Sequence, residues 1–320
     1  MSLTRRTLLL VAAGGALAGC QAALRPAERV TGVAPGAPAG PGAEAPAAVA
    51  PGAEAPGPAA AAPAPEPGPE PAPSATPAPA PTLAPPIARA EVMARYEGVE
   101  PTEWGLDTTG VITELPAGRQ ATALTFDGCG GPGGSGYDAD LIDLLRAHDV
   151  PATLFLNARW IDANPAEFES LADDPLFEIA NHGTLHRPLS VTGRSAYGIA
   201  GTRGIGEAYD EVAGNLAKLT ALLGRPPRFF RSGTAHYDDV ATRIAGDLGQ
   251  LVAGFGVNAD GGATLTASQV RQEVAAAPPG AVVIAHLNHP GGGTAPGFAA
   301  ALPALLAAGR RFVRLSDVLG

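Results

Sequence analysis

An α/β domain built on a parallel sheet or barrel is the fold class predicted by three observations. Short apolar runs of β type alternate with helical stretches from about residue 120 to residue 315. That rhythm is the mark of repeated βα units, whose strands run parallel. Several of the apolar runs end on a titratable residue, and strand ends are where α/β folds gather their chemistry. Residues 21–90 contain no aromatic residue, so a core becomes possible only beyond them.

The N-terminus comes first because it is expected to be removed. MSLTRRTLLLVAAGGALAGC has a basic start at Arg5 and Arg6 and an apolar run from Leu8 to Leu17. It closes on Leu17, Ala18, Gly19 and Cys20. The run is short for a membrane span and fits an export signal. Small residues before a cysteine resemble a bacterial lipobox. That resemblance implies a lipid on Cys20 and a membrane partner, with the domain in the cell envelope, periplasmic or at the cell surface. Thr4 to Leu9 also resembles a twin-arginine signal. Residues 21–90 are almost wholly Ala, Pro, Gly and Glu, as in APAPEPGPEPAPSATPAPAPTLAPP. They read as a disordered spacer of extended, semi-rigid chain, which leaves residues 91–320 as one domain.

Within that domain, strands are predicted over 120–126, 151–156, 177–180, 228–230, 251–257, 281–285 and 312–315. Helices are predicted over 139–147, 165–172, 207–223, 239–248, 267–276 and 297–308. Gly224 serves as a helix C-cap with Pro226 beyond it, and Thr266 or Ser268 as an N-cap. Residues 187–206 interrupt the rhythm as one long loop, and such loops often carry function.

Charge and cysteine count exclude several classes. The chain carries a net charge of −10. Residues 1–90 hold five arginines and five glutamates, so the whole imbalance falls on the domain. An acidic domain is a poor partner for phosphate backbones, and nucleic acid is set aside. A neutral or cationic substrate suits it. Two cysteines, one of them the lipid candidate, leave no disulfide framework. There is no G-x-S-x-G elbow and no Walker A loop. Residues 254–259 match a loose GxGxxA pattern, but no helix is predicted after it.

The candidate chemistry lies at strand ends. Asp127 ends the first strand inside ATALTFDGCGGPGGSG. His182 and His186 follow FEIA in NHGTLHRP, Arg231 follows two phenylalanines, Asp260 follows VAGFGV, and His286 follows AVVIA. Two imidazoles and a carboxylate are a common donor set for a borderline divalent metal.

That order resembles the polysaccharide deacetylases of the NodB-homology group, over roughly residues 118–320. Their motifs TFDD, HSxxH, an arginine after two aromatics, an aspartate in the next βα unit and a histidine after an apolar strand stand here as TFDG, HGTLH, FFRSG, NADGG and VVIAH. The resemblance implies a distorted (β/α) barrel with fewer than eight regular units. It implies a metal-dependent hydrolase that removes acyl groups from acetylated amino sugars, with zinc as the expected cofactor. Asp127 would be the general base, His182 and His186 metal ligands, Arg231 the group that holds Asp127, and His286 the general acid tuned by Asp260. The loop 232–234 would offer a backbone donor to the oxyanion.

Two positions depart from the pattern. Gly128 stands where the family has a second aspartate that ligates the metal. Asp127 itself, Asp138 or water would then complete the site, or the domain is silent and only binds glycans. Cys129 as a thiolate ligand is a further reading, set against that of a small buried residue in a crowded turn. The second departure is Gly183, where the family has a hydroxyl residue after the first histidine; Thr184 is the candidate substitute. A hydrolase of small amides or imides is the remaining alternative. Around these, His236 and Tyr237 are cleft candidates, Trp160 is a packing residue with an option of stacking on a sugar, and Trp104 is a packing residue.

Overall fold

The computed structural model describes residues 87–319. The signal expected at residues 1–20 and nearly all of the spacer expected at 21–90 lie outside the described residues.

The elements, in chain order, are α1 (Arg89–Arg95), β1 (Trp104–Gly105), β2 (Val111–Ile112), β3 (Thr122–Gly128), α2 (Ala139–Ala147), β4 (Ala152–Leu156), α3 (Ala158–Ala163), α4 (Pro165–Ala172), β5 (Phe177–Asn181), α5 (Ile205–Leu223), β6 (Phe229–Phe230), β7 (Tyr237–Asp238), α6 (Asp239–Asp247), β8 (Leu251–Ala253), β9 (Val257–Asn258), α7 (Ala267–Ala276), β10 (Val282–His286), α8 (Thr294–Ala307) and β11 (Phe312–Val313). The main sheet runs β2-β8-β6-β5-β4-β3-β10-β9, with β11 also on β3. Every pairing in that sheet is parallel. It is the expected distorted (β/α) barrel, with fewer than eight regular βα units. Among the described residues no helix is long and apolar enough to cross a membrane.

Local chemistry explains the helices that the sequence reading located. Helix α7 starts at Thr266, which closes a capping box with Gln269. Helix α5 ends on Gly224 in the left-handed region, φ +69°. Helix α2 starts at Asp138, whose side chain accepts from the Leu141 N–H. Asp138 is a buried helix cap through Oδ1, and its Oδ2 has no partner among the described residues.

One predicted strand was in fact two. Residues 251–257 split into β8, which lies between β2 and β6, and β9, which pairs with β10 at the other end of the strand order. The break is Gly254-Phe255-Gly256. The Gly254 N–H donates to Ile112 and the Gly256 N–H to Val282, so this short segment spans from one edge of the sheet to the other. An antiparallel bridge between Glu114 and Ala281 closes the same gap. An apolar run shows that the backbone is extended, not which neighbours it pairs with.

Alternation along the strands sets the site. In β3, Leu124 and Phe126 pack outward with helical residues, including Phe298 of α8. Ala123 faces the interior cluster with Phe155, Ala180, Phe229 and Val282. Side chains two apart share a face. Asp127 thus falls on the interior side with Ala123, Arg231 with Phe229, His182 with Ala180 and His286 with Val282. All four reach the interior at the C-terminal rim.

Candidate active site

Asp127 and His286 are cross-strand partners in the register of β3 and β10. Arg231 and His182 follow the ends of β6 and β5. The sheet itself brings these groups together, as the strand-end reading expected.

Asp127 is almost fully buried. Its Oδ1 accepts from Arg231 Nη1 at 2.7 Å, and its Oδ2 lies 3.5 Å from His182 Nε2. Arg231 is wholly buried. Its remaining donors go to the Ala253 carbonyl at 3.0 Å and the Gly254 carbonyl at 2.7 Å, and its guanidinium lies over the Phe155 ring. A buried charge needs such complete pairing, and removing one partner of a pair like this costs about 3–5 kcal/mol. Burial works to raise the pKa of Asp127. The Arg231 charge, followed by His182 and His286, outweighs burial and holds the carboxyl below its ordinary value. Asp127 is thus kept ionised and fixed in direction.

His286 forms the second unit. Its Nδ1 lies 2.9 Å from Asp260 Oδ1, and its backbone N–H donates to Asp260 Oδ2 at 2.7 Å. Thr294 Oγ1 and the Gly262 N–H also donate to Asp260. Burial lowers the pKa of His286, but the hydrogen bond to Asp260 and the contact with Cys129 raise it well above the usual imidazole value. With Nδ1–H committed to Asp260, the Nε2–H is left as the group that can give a proton.

The two remaining imidazoles stand edge to face, with ring centroids 4.9 Å apart. His182 Nδ1 donates to the Arg231 carbonyl at 3.0 Å, so its Nε2 bears the free lone pair when the ring is neutral. His186 Nε2 is buried and has no hydrogen-bond partner among the described residues. Burial lowers the pKa of His182 while Asp127 raises it, and the net shift is upward. The locality is tuned to hold a positive charge at that nitrogen, whether a proton or a cation.

His186 sits in a left-handed backbone conformation, φ +61°. The buried Glu211 of α5 holds it there. Its two carboxylate oxygens accept from the Leu185 N–H at 3.0 Å, and Oε1 accepts from the Arg187 N–H at 3.2 Å. Gly183, φ +76°, allows this approach, since a Cβ there would fall 2.5 Å from Glu211 Oε1. Asn157 fixes the start of the loop by donating to the His182 and Gly183 carbonyls.

Cys129 joins the same centre. Its Sγ lies 3.8 Å from His182 Nε2, and one donor atom from each of Cys129, His182 and His186 falls within 4.8 Å of the others. Burial raises the thiol pKa, but the neighbouring imidazoles, His182 first and then His186 and His286, outweigh it and hold it well below its usual value. Cys129 is therefore more than a small residue filling a crowded turn. Asp127 stands beside this trio rather than within it.

Several other expectations change. Thr184 Oγ1 is engaged with the Glu211 carbonyl and the Asn215 N–H, facing α5, and does not replace the missing hydroxyl. The Ser232 N–H donates to the Tyr237 hydroxyl, so Gly233 and Thr234 are the part of that loop left to line the site. Tyr237 is fully buried and lies behind the cleft. Trp160 is buried within α3, its Nε1 donating to the Gly136 carbonyl, and is closed to a sugar.

A cavity of about 650 Å³ opens over the centre, lined by Asp127, Cys129, His186, His286 and Asn288 and, toward its mouth, by Tyr197. Glu211 and Cys129 had readable signals. Glu211 sits on the buried face of α5 with Ala208, Val212 and Asn215. A charge on an apolar helix face needs partners. Cys129 is two residues beyond Asp127, the spacing of one strand face.

Residues 115–253 match the family model for polysaccharide deacetylase. No curated protein matches the sequence. The structure is similar to a wild-type CE4 family pseudoenzyme from Bacillus anthracis, with a TM-score of 0.55 and 21% identity over 65% of this chain and 68% of that one. It is also similar to PdaA of Bacillus subtilis, a family 4 carbohydrate esterase, with a TM-score of 0.54 and 18% identity over 72% and 88% of the two chains. A peptidoglycan N-acetylglucosamine deacetylase in complex with an N-hydroxybenzamide gives a TM-score of 0.54 and 22% identity over 65% and 92%. These likenesses are likenesses of fold.

Proposed function

We propose that this chain, whose residues 115–253 match the family model for polysaccharide deacetylase, is a metal-dependent hydrolase that frees acetate from acetylated amino sugars of a polysaccharide or peptidoglycan. The observation that carries the reading is the placing of two oppositely tuned groups side by side in the lining of one cavity. The ionised Asp127 is held by Arg231, and the proton-bearing His286 is held by Asp260. A base and an acid of this kind act in turn only if their environments separate their pKa values.

The donor chemistry fits a divalent cation. His182 Nε2 carries a free lone pair and His186 Nε2 has no partner among the described residues, and one ring nitrogen from each histidine lies within 4.8 Å of the other. His182 and His186 would hold the cation, which when bound supplies Lewis acidity that polarises an acyl carbonyl and acidifies water. Asp127 takes a proton from the attacking water, whose oxygen bonds to the acyl carbon. His286 gives its Nε2 proton to the sugar nitrogen as the C–N bond breaks. Acetate and the free amine leave, and proton exchange with solvent resets Asp127 and His286. Gly233 and Thr234 line the cavity, and their backbone N–H groups would serve the developing oxyanion. Asn288, which also lines the cavity and whose buried amide has no partner among the described residues, can hydrogen-bond a substrate there.

The proposal includes export of the domain and its anchoring through a lipid on Cys20, on the strength of the N-terminal sequence. A second reading, a silent glycan-binding lipoprotein, is favoured by Gly128 in the place of the family's second aspartate. One experiment separates the two: metal analysis of the purified chain together with acetate release from acetylated chitin oligosaccharides and peptidoglycan. Bound metal with turnover that disappears in Asp127→Asn supports the hydrolase. Glycan binding without acetate release supports the silent protein.

A further inference from the structure

We infer that Cys129 is the third protein ligand of the cation site, making it a thiolate-imidazole-imidazole site in which Asp127 is left free as a base. The inference rests on the reading of His182 and His186 as metal ligands.

Strand alternation supplies the first argument. Beyond Asp127, Gly128 faces away from the interior. A Cβ at Gly128 would lie 2.9 Å from Leu156 Cδ2 and 3.3 Å from the Trp160 ring. A carboxylate at that position would run into Leu156 and Trp160. Cys129, one residue on, turns back toward the interior, and its sulfur arrives among the imidazoles.

Turn geometry supplies the second. Residues 130–134 form a tight turn in which the Gly130 N–H donates to the Gly134 carbonyl and the Gly134 N–H to the Gly131 carbonyl. Gly130 has φ +69° and packs against the backbone of α3. Cys129 is therefore anchored on both sides, by the paired strand β3 and by this turn, and its direction is set.

The third argument is donor economy. Asp127 already gives one oxygen to Arg231, and Asp138, which caps α2 through Oδ1, does not fall within the group of Cys129, His182 and His186. His186 Nε2 has no partner. A cation bound by Sγ and both Nε2 atoms satisfies that orphan and leaves an open position toward the cavity, as catalytic sites with three protein ligands do. One thiolate and two neutral imidazoles suit zinc or cobalt and disfavour magnesium, calcium and manganese, which prefer oxygen donors.

The test uses the full chain, stripped of metal and titrated with one equivalent of cobalt(II). A thiolate-to-cobalt charge-transfer band in the near ultraviolet is expected in the wild type and in Cys20→Ser, and is expected to vanish in Cys129→Ser. Zinc is expected to protect Cys129 from iodoacetamide, read at its own peptide by mass spectrometry, whereas magnesium is not. Zinc affinity is expected to fall at least about tenfold to a hundredfold in Cys129→Ser, since even outer partners of a metal site are worth that much. The wild-type spectrum decides the matter even if Cys129→Ser does not fold. A cobalt-loaded wild type without the band, or equal alkylation of Cys129 with and without zinc, overturns the inference. If such a protein still releases acetate, the deacetylase reading survives and only the thiolate ligand is lost. A band without acetate release keeps the ligand and removes the hydrolase.

Discussion

The two halves of the site are built by different means. Asp127, Arg231 and His286 stand on or just past strands whose register is fixed by parallel pairing, and alternation alone turns them inward. His186 stands on a loop, five residues beyond the end of β5, in a backbone conformation that L-residues rarely adopt. What holds it is a single buried carboxylate, Glu211, from a helix more than twenty residues further along the chain. Strand-borne groups inherit their position from the sheet. A loop-borne group depends on side-chain bonds that one substitution can remove.

That contrast can be broken from either side. The largest effect is expected from Asp127→Asn, which removes the base while the amide can still accept from Arg231. Acetate release should fall about 10²- to 10⁴-fold, with bound metal retained, as read by turnover and elemental analysis on one preparation. Substituting the loop's anchor should act differently. Glu211→Ala leaves the N–H groups of Leu185 and Arg187 without acceptors, at a cost of about 1–3 kcal/mol each where they are buried. It should lower zinc affinity about 10- to 100-fold, with Glu211→Gln restoring part of both. Unchanged zinc affinity in Glu211→Ala would show that the loop holds His186 without help.

A subtler change separates tuning from positioning. Asp260→Asn removes the carboxylate that stabilises the His286 imidazolium, so the raised pKa of His286 comes down. His286 then loses its proton at lower pH, and the alkaline limb of the kcat/KM profile should move to lower pH. The acid limb, set by the depressed pKa of Asp127, should stay where it is. Movement of both limbs would mean that the two units are not independent. The smallest effect belongs to the cavity mouth. Tyr197 is 74% exposed and its ring stands edge to face with that of His236, with centroids 5.0 Å apart. Its loss should raise KM for a glycan by about 0.5–1.5 kcal/mol of aromatic contact and leave kcat unchanged.

Much of this was legible from the sequence. The runs at 120–126, 177–180 and 281–285 read as strands, and β3, β5 and β10 stand there, because continuous apolar runs are what a sheet covered on both faces requires. Their terminal residues read as candidates because strand ends form the rim. Asp127, His182, Arg231 and His286 could therefore be named from one dimension. Glu211 was not named, because its role exists only once α5 lies across the HGTLH loop.

The sequence alone determined which residues alternate, where helices start and stop, and which side chains carry chemistry, because these follow from local sterics, capping and composition. Only the tertiary structure decided that residues 251–257 belong to two strands on opposite sides of a gap, since pairing partners are not encoded in a run of apolar letters. It also decided that Asp138 caps a helix, that Thr184 faces α5 and that Cys129 meets two imidazoles. Whether a polar atom is spent on the backbone or left free for a ligand depends on neighbours far away in the chain, and those are set only when the whole domain packs.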